Sequence, residues 1–377
     1  MYINRRQFSI SSAAAVLSTA SGVRAQTEDK IVLGQSVPLT GPAAQLGLQF
    51  QAGAKVCFDQ VNAQGGIGKR LIELRTLDDG YEPDRCAENT RKLIADDVFA
   101  LFGYVGTPTC VVALPQANKA KISFIAPFTG AMVLRDPFSR YAFHIRASYN
   151  DETALIVRSL TNLGLNKIAV FHQNDSYGKA GLDGVTLALK ALSLKPVATG
   201  TVERNTVEVA NAVSTIVAAM PEAVVQVGAY KACAAFIREA RKAGYGGLFY
   251  NVSFVGTKAL SDELGKDAAG VVVCQVMPSP YSSNRQIVRE FHDALKVAGK
   301  SAMTNFSSME GYIAARVLLE GLKRAGSKPT RDSLITGLEG LGSQSLGGFS
   351  VSFSPEDHVA SSFVEMSLLT ADGRVRT

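Results

Sequence analysis

Apolar residues along the chain alternate between two periodicities. Ile31-Val32-Leu33, residues 71–77, residues 99–103 and residues 122–126 are short apolar runs of the kind that form strands buried on both faces. Between them, Phe50, Ala54, Cys57, Phe58 and Val61, and later Cys110, Leu114 and Ala117, repeat at helical spacing. A fifth strand is expected over residues 141–145. After Arg146 the rhythm restarts: helix 153–163, strand 167–171, a long helix to Leu192, strand 196–202, and a helix marked by Val209, Val213, Ile216, Val217 and Met220. Strands over residues 223–227, 248–252 and 271–276 and a helix over 231–242 complete the second series.

This repetition predicts an α/β chain of two Rossmann-like lobes, each a parallel-type sheet wrapped by helices. Pro278 and Pro280 break the pattern, and helices 286–297 and 309–324 return most economically to the first lobe. Ser354-Pro355 then crosses again before a final strand over residues 363–369. Three crossings make a hinge. The expected boundaries are 29–146 plus 277–354 for one lobe and 147–276 plus 355–377 for the other. Ligands of open parallel sheets lie outside the carboxyl ends of the strands. The turns at Gly41, Tyr81, Thr107 and Thr129 should therefore face those at Tyr177, Tyr230 and Ser253 across a cleft that can close.

Length and composition agree with two domains: 377 residues exceed one ordinary core, and 46% hydrophobic residues without a low-complexity tract suit a globular chain. Residues 1–25 read as an export signal. Arg5-Arg6 with Phe8 resembles a twin-arginine leader, a modest apolar stretch follows, and Val23-Arg24-Ala25 is a small-residue cleavage site. A periplasmic location follows, and no other segment is apolar enough to span a membrane. The leader carries three arginines and no acid, leaving 36 basic against 33 acidic side chains, too even a balance to imply nucleic acid. Cys57, Cys86, Cys110, Cys233 and Cys274 show no metal-ligand spacing, so no metal is expected. Cys86 and Cys110 fall one turn into neighbouring helices, which makes a bridge between them one option in an oxidising compartment. Cys57 shares a helical face with Phe50 and Phe58 and reads as a buried hydrophobe.

Enzyme chemistry finds no constellation. Gly65-Gly66-Ile67-Gly68 lacks dinucleotide-fingerprint spacing, Gly68-Lys69-Arg70 is no phosphate loop, and His144, His172, His292 and His358 are dispersed. No catalytic residue and no cofactor is expected. The informative stretch is 103–117, where Thr107-Pro108 reads as an N-cap and first helical residue, leaving the Thr109 and Cys110 amides at a helix start suited to a carboxylate. An ordinary capped helix is the commoner use of that pair.

Leu39-Thr40-Gly41-Pro42, Ala44-Gln45-Leu46-Gly47, Asn62-Ala63-Gln64-Gly65-Gly66-Ile67, Asp78-Asp79, the 103–107 turn, Ala126-Pro127 and Tyr177-Gly178 occur in that order over nearly all of the chain after the leader. In this order and spacing they resemble the leucine/isoleucine/valine-type periplasmic substrate-binding proteins of ABC transporters. The resemblance implies a type I periplasmic binding fold with a three-crossover hinge. It also implies a small-molecule ligand in the cleft, handover to an inner-membrane ABC permease, and a monomer. It places the ligand carboxylate on Val105, Gly106 and Thr107 and on Phe128, Thr129 and Gly130. Leu46 lies over the ligand side chain, and Tyr177 and Tyr230 are brought down by the second lobe. Ser253 stands where the family has an acid for the ligand ammonium, a departure that counts against an α-amino acid. Asp79 or Glu310 remains available as a displaced carboxylate. Phe128, Tyr177, Tyr230 and Phe254 suit an aromatic or branched acid, with plain core packing as the competing use. The same fold also serves ligand-sensing receptors for amides or urea, a second reading in which the partner is regulatory.

Overall fold

The computed structural model describes residues 30–377, so the export signal expected over residues 1–25 lies outside the described residues. The first series runs β1 (Lys30–Val37), α1 (Ala44–Ala63), β2 (Leu71–Asp78), α2 (Pro83–Ala95), β3 (Ala100–Phe102), α3 (Thr107–Ala120), β4 (Phe124–Ile125) and β5 (Ala142–Phe143). Its strands form one sheet in the order β2-β1-β3-β4-β5, with every pairing parallel. The central β3 is wholly buried, as a strand covered by helices on both faces must be.

The second series comprises α4 (Tyr149–Asn162), β6 (Ile168–Gln173), α5 (Ser176–Lys190), β7 (Thr199–Val202), α6 (Ala210–Ala218), β8 (Ala223–Val227), α7 (Tyr230–Lys242), β9 (Leu248–Asn251), α8 (Thr257–Leu264) and β10 (Val272–Gln275). The chain then returns as α9 (Gln286–Val297), α10 (Phe306–Arg324), α11 (Arg331–Glu339) and the hairpin β11 (Gly342–Leu346) and β12 (Phe349–Phe353). It ends with β13 (Glu365–Leu369) and β14 (Val375–Arg376). The second sheet has seven strands in the order β14-β13-β10-β9-β8-β6-β7. It is parallel as far as β10, and β13 and β14 close it antiparallel. The α/β architecture of two sheets agrees with the sequence reading, with this antiparallel edge as the addition.

Several helix ends differ from expectation, each for a local reason. α4 starts at Tyr149, four residues early, because Ser148 and Asp151 form a capping box. α10 starts at Phe306 because the Asn305 side chain accepts from the Ser308 amide at 2.9 Å. α8, α11 and the hairpin were not marked by the periodicity. Gly347 and Gly348 both have positive φ, +56° and +94°, and provide the two-residue turn that the hairpin requires.

α10 lies directly on α1. A Cβ at Gly53 would fall 1.7 Å from the Ser308 carbonyl oxygen, and one at Gly311 would fall 2.0 Å from that of Phe50. The two glycines therefore let the helix backbones touch, and through them α10 is fixed to the five-stranded sheet. Two of the crossings hold each other: the His144 amide donates to the His358 carbonyl and the Ala360 amide to the His144 carbonyl, both at 2.8 Å. All five cysteines are free and buried. The Cys86 thiol reaches the Thr109 carbonyl oxygen at 3.5 Å, so the bridge to Cys110 is not formed. Cys57 lies buried on α1 as expected, and burial pushes its thiol up to about 12.

Candidate functional site

The turns after β3 and β4 come together. Val105 and Phe128 form a parallel bridge, the Phe128 amide donates to the Tyr104 carbonyl at 2.7 Å, and the Gly106 amide donates to the Phe128 carbonyl at 3.2 Å. This pairing places the hydroxyls of Thr107 and Thr129 2.7 Å apart, with the Tyr149 hydroxyl 3.4 Å from Thr129. All three side chains are buried.

The geometry corrects one expectation here. Thr107 is the first helical residue and Gly106, at φ +97°, precedes it, so Thr107 is not the N-cap. The Cys110 amide bonds the Gly106 carbonyl at 3.1 Å, and the Thr129 amide bonds that of Pro127 at 2.8 Å. The Cys110 amide, expected with that of Thr109 to face an anion, instead makes the opening bond of α3, the Gly106 amide is used by the pairing with Phe128, and the Thr129 amide closes a turn. The hydroxyls of Thr107 and Thr129 are the paired side-chain groups of these turns. Gly106 and Gly130 are needed for space: a Cβ on the first would fall 2.2 Å from the Tyr81 ring, and one on the second 2.7 Å from the Tyr149 amide nitrogen.

From the opposite rim come Tyr177, the second residue of α5, and Phe254, in the turn after β9. Their ring centroids are 4.5 Å apart. Phe254 also packs against Phe128 at 5.6 Å and Tyr81 at 5.9 Å, while Tyr149 meets Tyr177 at 5.5 Å. An aromatic cluster therefore joins the two halves, and Phe50 extends it to the first sheet through Phe128 at 5.5 Å. Tyr177 donates to the Gly228 carbonyl at 3.4 Å. Tyr230 opens α7 and is buried. Burial raises its hydroxyl pKa, opposed by a hydrogen bond from the Gln45 main chain on α1. Leu46 faces Gly256, where an added Cβ would fall 2.5 Å from Leu46 Cδ2. The sequence-predicted residues are thus brought to one place from both rims.

Sequence reasoning missed the charged heart of the site. Arg146, on the first crossing, is 1% exposed. Its Nε lies 3.1 Å from Glu310 Oε1, and its Nη2 donates to Glu310 Oε2 at 3.2 Å and to Ser253 Oγ at 2.6 Å. Its guanidinium carbon sits 4.5 Å from the Phe128 ring centroid. Glu152, in the first turn of α4, accepts from the Ser253 amide at 2.6 Å and from the Ser253 hydroxyl at 2.9 Å. Burial raises both Glu152 and Glu310, Glu310 to about 7, with Arg146 opposing the rise in each. Burial acts to lower Arg146, but the carboxylates of Glu310 and Glu152 outweigh it, so the guanidinium stays charged. Of the two acids considered from sequence, Glu310 is therefore the one in the cleft. Asp79 is occupied behind it, accepting from Ser36 and the Tyr81 amide at 2.8 Å each. The available signal for Glu152 was the Ser148 to Asp151 capping spacing, which moves the start of α4 back and turns the next residue inward.

The rims meet at the mouth as well. Tyr81, held at φ +65°, accepts from Gln173 Nε2 at 3.2 Å. Glu82 accepts from Arg204 at 3.0 Å and from Asn205 at 2.7 Å, and Asn205 also reaches the Gly80 carbonyl at 3.0 Å. Among the described residues no cluster of three or more His, Cys, Asp or Glu could hold a metal, and no helix is long and apolar enough to cross a membrane.

Two sheets facing one another over a buried polar and aromatic seam are matched by known proteins along the whole described chain. The periplasmic binding protein family matches residues 30–373. The structure of a possible leucine/isoleucine/valine-binding protein from Rhodopirellula baltica is 36% identical with a TM-score of 0.89, covering 93% of this chain and 96% of that one. A substrate-binding periplasmic protein from Ralstonia solanacearum is 31% identical with a TM-score of 0.86, covering 92% and 99%. The Leu/Ile/Val-binding protein BraC3 of Rhizobium johnstonii is 25% identical over 82% of this chain and 83% of its own length. The chain belongs to the periplasmic binding protein family, among relatives of the Leu/Ile/Val-binding type, which are binding proteins and not enzymes.

Proposed function

We propose that the protein is an exported component of an ABC-type importer that captures a small carboxylate, an amino acid or a related aromatic or branched acid, between its two lobes. The lobes are 29–146 with 277–354 and 147–276 with 355–377, and they turn about the three crossings. The observation that carries this reading is the buried Thr107 and Thr129 hydroxyl pair, 2.7 Å apart, faced by Tyr177 and Phe254 from the other rim. A carboxylate bridging the two hydroxyls would replace their mutual bond and take a charge-assisted bond from each. Tyr177, Tyr230 and Leu46 then enclose its side chain when the lobes close. A ligand that touches both rims only when they meet favours the closed form by its differential affinity, and the closed form is what an inner-membrane permease would receive. Monomeric behaviour is expected.

The test is calorimetry on the wild type and on Thr107→Ala, after a thermal-shift screen of amino acids, aromatic acids, branched acids, amides and urea. Loss of one bond to a charged group should weaken binding by about 1.5–3 kcal/mol. Unchanged affinity in the variant removes Thr107 from the site. A response confined to amides or urea would favour the sensing reading instead.

A further inference from the structure

The unused hydrogen-bonding capacity at the seam tells what kind of ligand it is made for. Both oxygens of Glu310 face Arg146, and both oxygens of Glu152 accept from Ser253. The Ser253 hydroxyl is committed on both sides, donating to Glu152 and accepting from Arg146. Two buried nitrogens of Arg146 make no hydrogen bond among the described residues, and of these Nε lies 3.1 Å from Glu310 Oε1. Nη1 of Arg146 is fully buried and meets no acceptor among the described residues. An unpaired edge of a charged guanidinium inside the protein is costly, and it calls for an acceptor, to which a carboxylate would give the stronger, charge-assisted bond. A ligand ammonium that came to Glu152 or Glu310 would instead lie beside Arg146, and like charges at close range in a buried site oppose each other. On its apolar side the guanidinium lies over Phe128, whose ring packs against Phe254, and Phe254 in turn meets Tyr177.

We propose that the cleft takes an apolar or aromatic carboxylic acid that carries no α-ammonium group, with Nη1 of Arg146 as a counter-ion for its carboxylate. The inference rests on the capture of a carboxylate proposed above and narrows it to one charge class. The linked hydroxyls of Thr107, Thr129 and Tyr149 supply the neutral donors in this reading, and the aromatic cluster receives the rest of the molecule.

Matched pairs that differ only in the amino group test this. The purified protein, unfolded and refolded to strip any co-purified ligand, is titrated by calorimetry with 3-phenylpropanoate against phenylalanine and with 4-methylpentanoate against leucine. In at least one pair the deaminated acid should bind tenfold or more tightly than the amino acid. Arg146→Gln should weaken that acid at least thirtyfold. Arg146→Lys, which keeps the charge but loses the Nη1 edge, should weaken it at least fivefold and serves if the Gln variant does not fold. An amino acid that binds more tightly than its deaminated partner overturns the inference and leaves carboxylate capture standing. Equal affinities for acid and amino acid, or an acid affinity unchanged in Arg146→Lys, overturn it too. If no member of either pair binds while neutral amides do, the capture of a carboxylate falls along with it.

Discussion

Replacing Gly53 by alanine tests how far the cleft depends on the contact between α1 and α10. The new Cβ would lie 1.7 Å from the Ser308 carbonyl oxygen, where ordinary contact begins at 3.4 Å, so the helices must part by about 1.7 Å. The atom it meets is backbone, which cannot swing aside. Overpacking costs about 1–3 kcal/mol, and a rigid partner puts this case at the upper end. Against that, alanine in place of glycine inside a helix returns roughly 1 kcal/mol. The net loss is about 2 kcal/mol, which for a lobe of roughly 200 residues lowers the melting temperature by about 4–8 °C. α1 carries Phe50 and Leu46 and α10 carries Glu310, so ligand affinity should fall in the same variant. Gly246→Ala, with nothing within 4 Å of its added Cβ, is the control and should melt with the wild type. Calorimetric melting of the three proteins decides the matter. A Gly53→Ala variant as stable as the control would refute the account of backbone contact.

Three further outcomes follow from the same coordinates. Burial, with Arg135 adding to it, holds the His144 imidazole well below its usual value. The group is thus neutral when folded, and the stability it contributes is present above an unfolded pKa of about 6.5 and is lost as the pH falls below that. His144→Gln should flatten the fall in melting temperature between about pH 6.5 and 4.5, and an unchanged slope would assign that fall to other groups. The five free thiols should resist a disulfide reagent in the native protein and all react in denaturant without reductant. Three reacting thiols would reveal a bridge instead. Glu82→Ala removes two bonds across the mouth, from Arg204 and Asn205. These side chains are partly exposed, so the closed form should lose only about 1 kcal/mol. Small-angle scattering of the free variant should show a larger radius, and an unaltered radius and affinity would show that the mouth does not hold the lobes.

The two-sheet plan was legible because parallel strands buried on both faces leave continuous apolar runs, as over residues 99–103. The returning α9 has the bounds expected for it, residues 286–297. Shorter elements were not. The hairpin shows burial on alternate residues of β12, a weak pattern over five residues, and its Gly347-Gly348 turn was the better signal. The first-lobe turns and second-lobe tyrosines of the candidate site were legible as strand-end punctuation, and the family resemblance assigned their roles. Arg146 and Glu152 were not, since nothing local distinguishes a crossing arginine or a first-turn acid from a solvated one. Arg146 takes its meaning from Ser253 and Glu310, 107 and 164 positions away in sequence, and Glu152 from Ser253, 101 positions away. Two of the amide donors were misjudged for a related reason: the Gly106 N–H is taken by Phe128 of the neighbouring turn, and the Cys110 N–H by the first bond of α3.

The chain contains no tryptophan, and four of its 11 tyrosines, Tyr81, Tyr149, Tyr177 and Tyr230, line the seam between the sheets. Its intrinsic ultraviolet emission therefore comes substantially from the place where a guest would sit. Phe254→Trp would give the molecule a single indole at the meeting point of that aromatic cluster, so that occupancy and hinge motion could be followed by one wavelength of light without any attached dye.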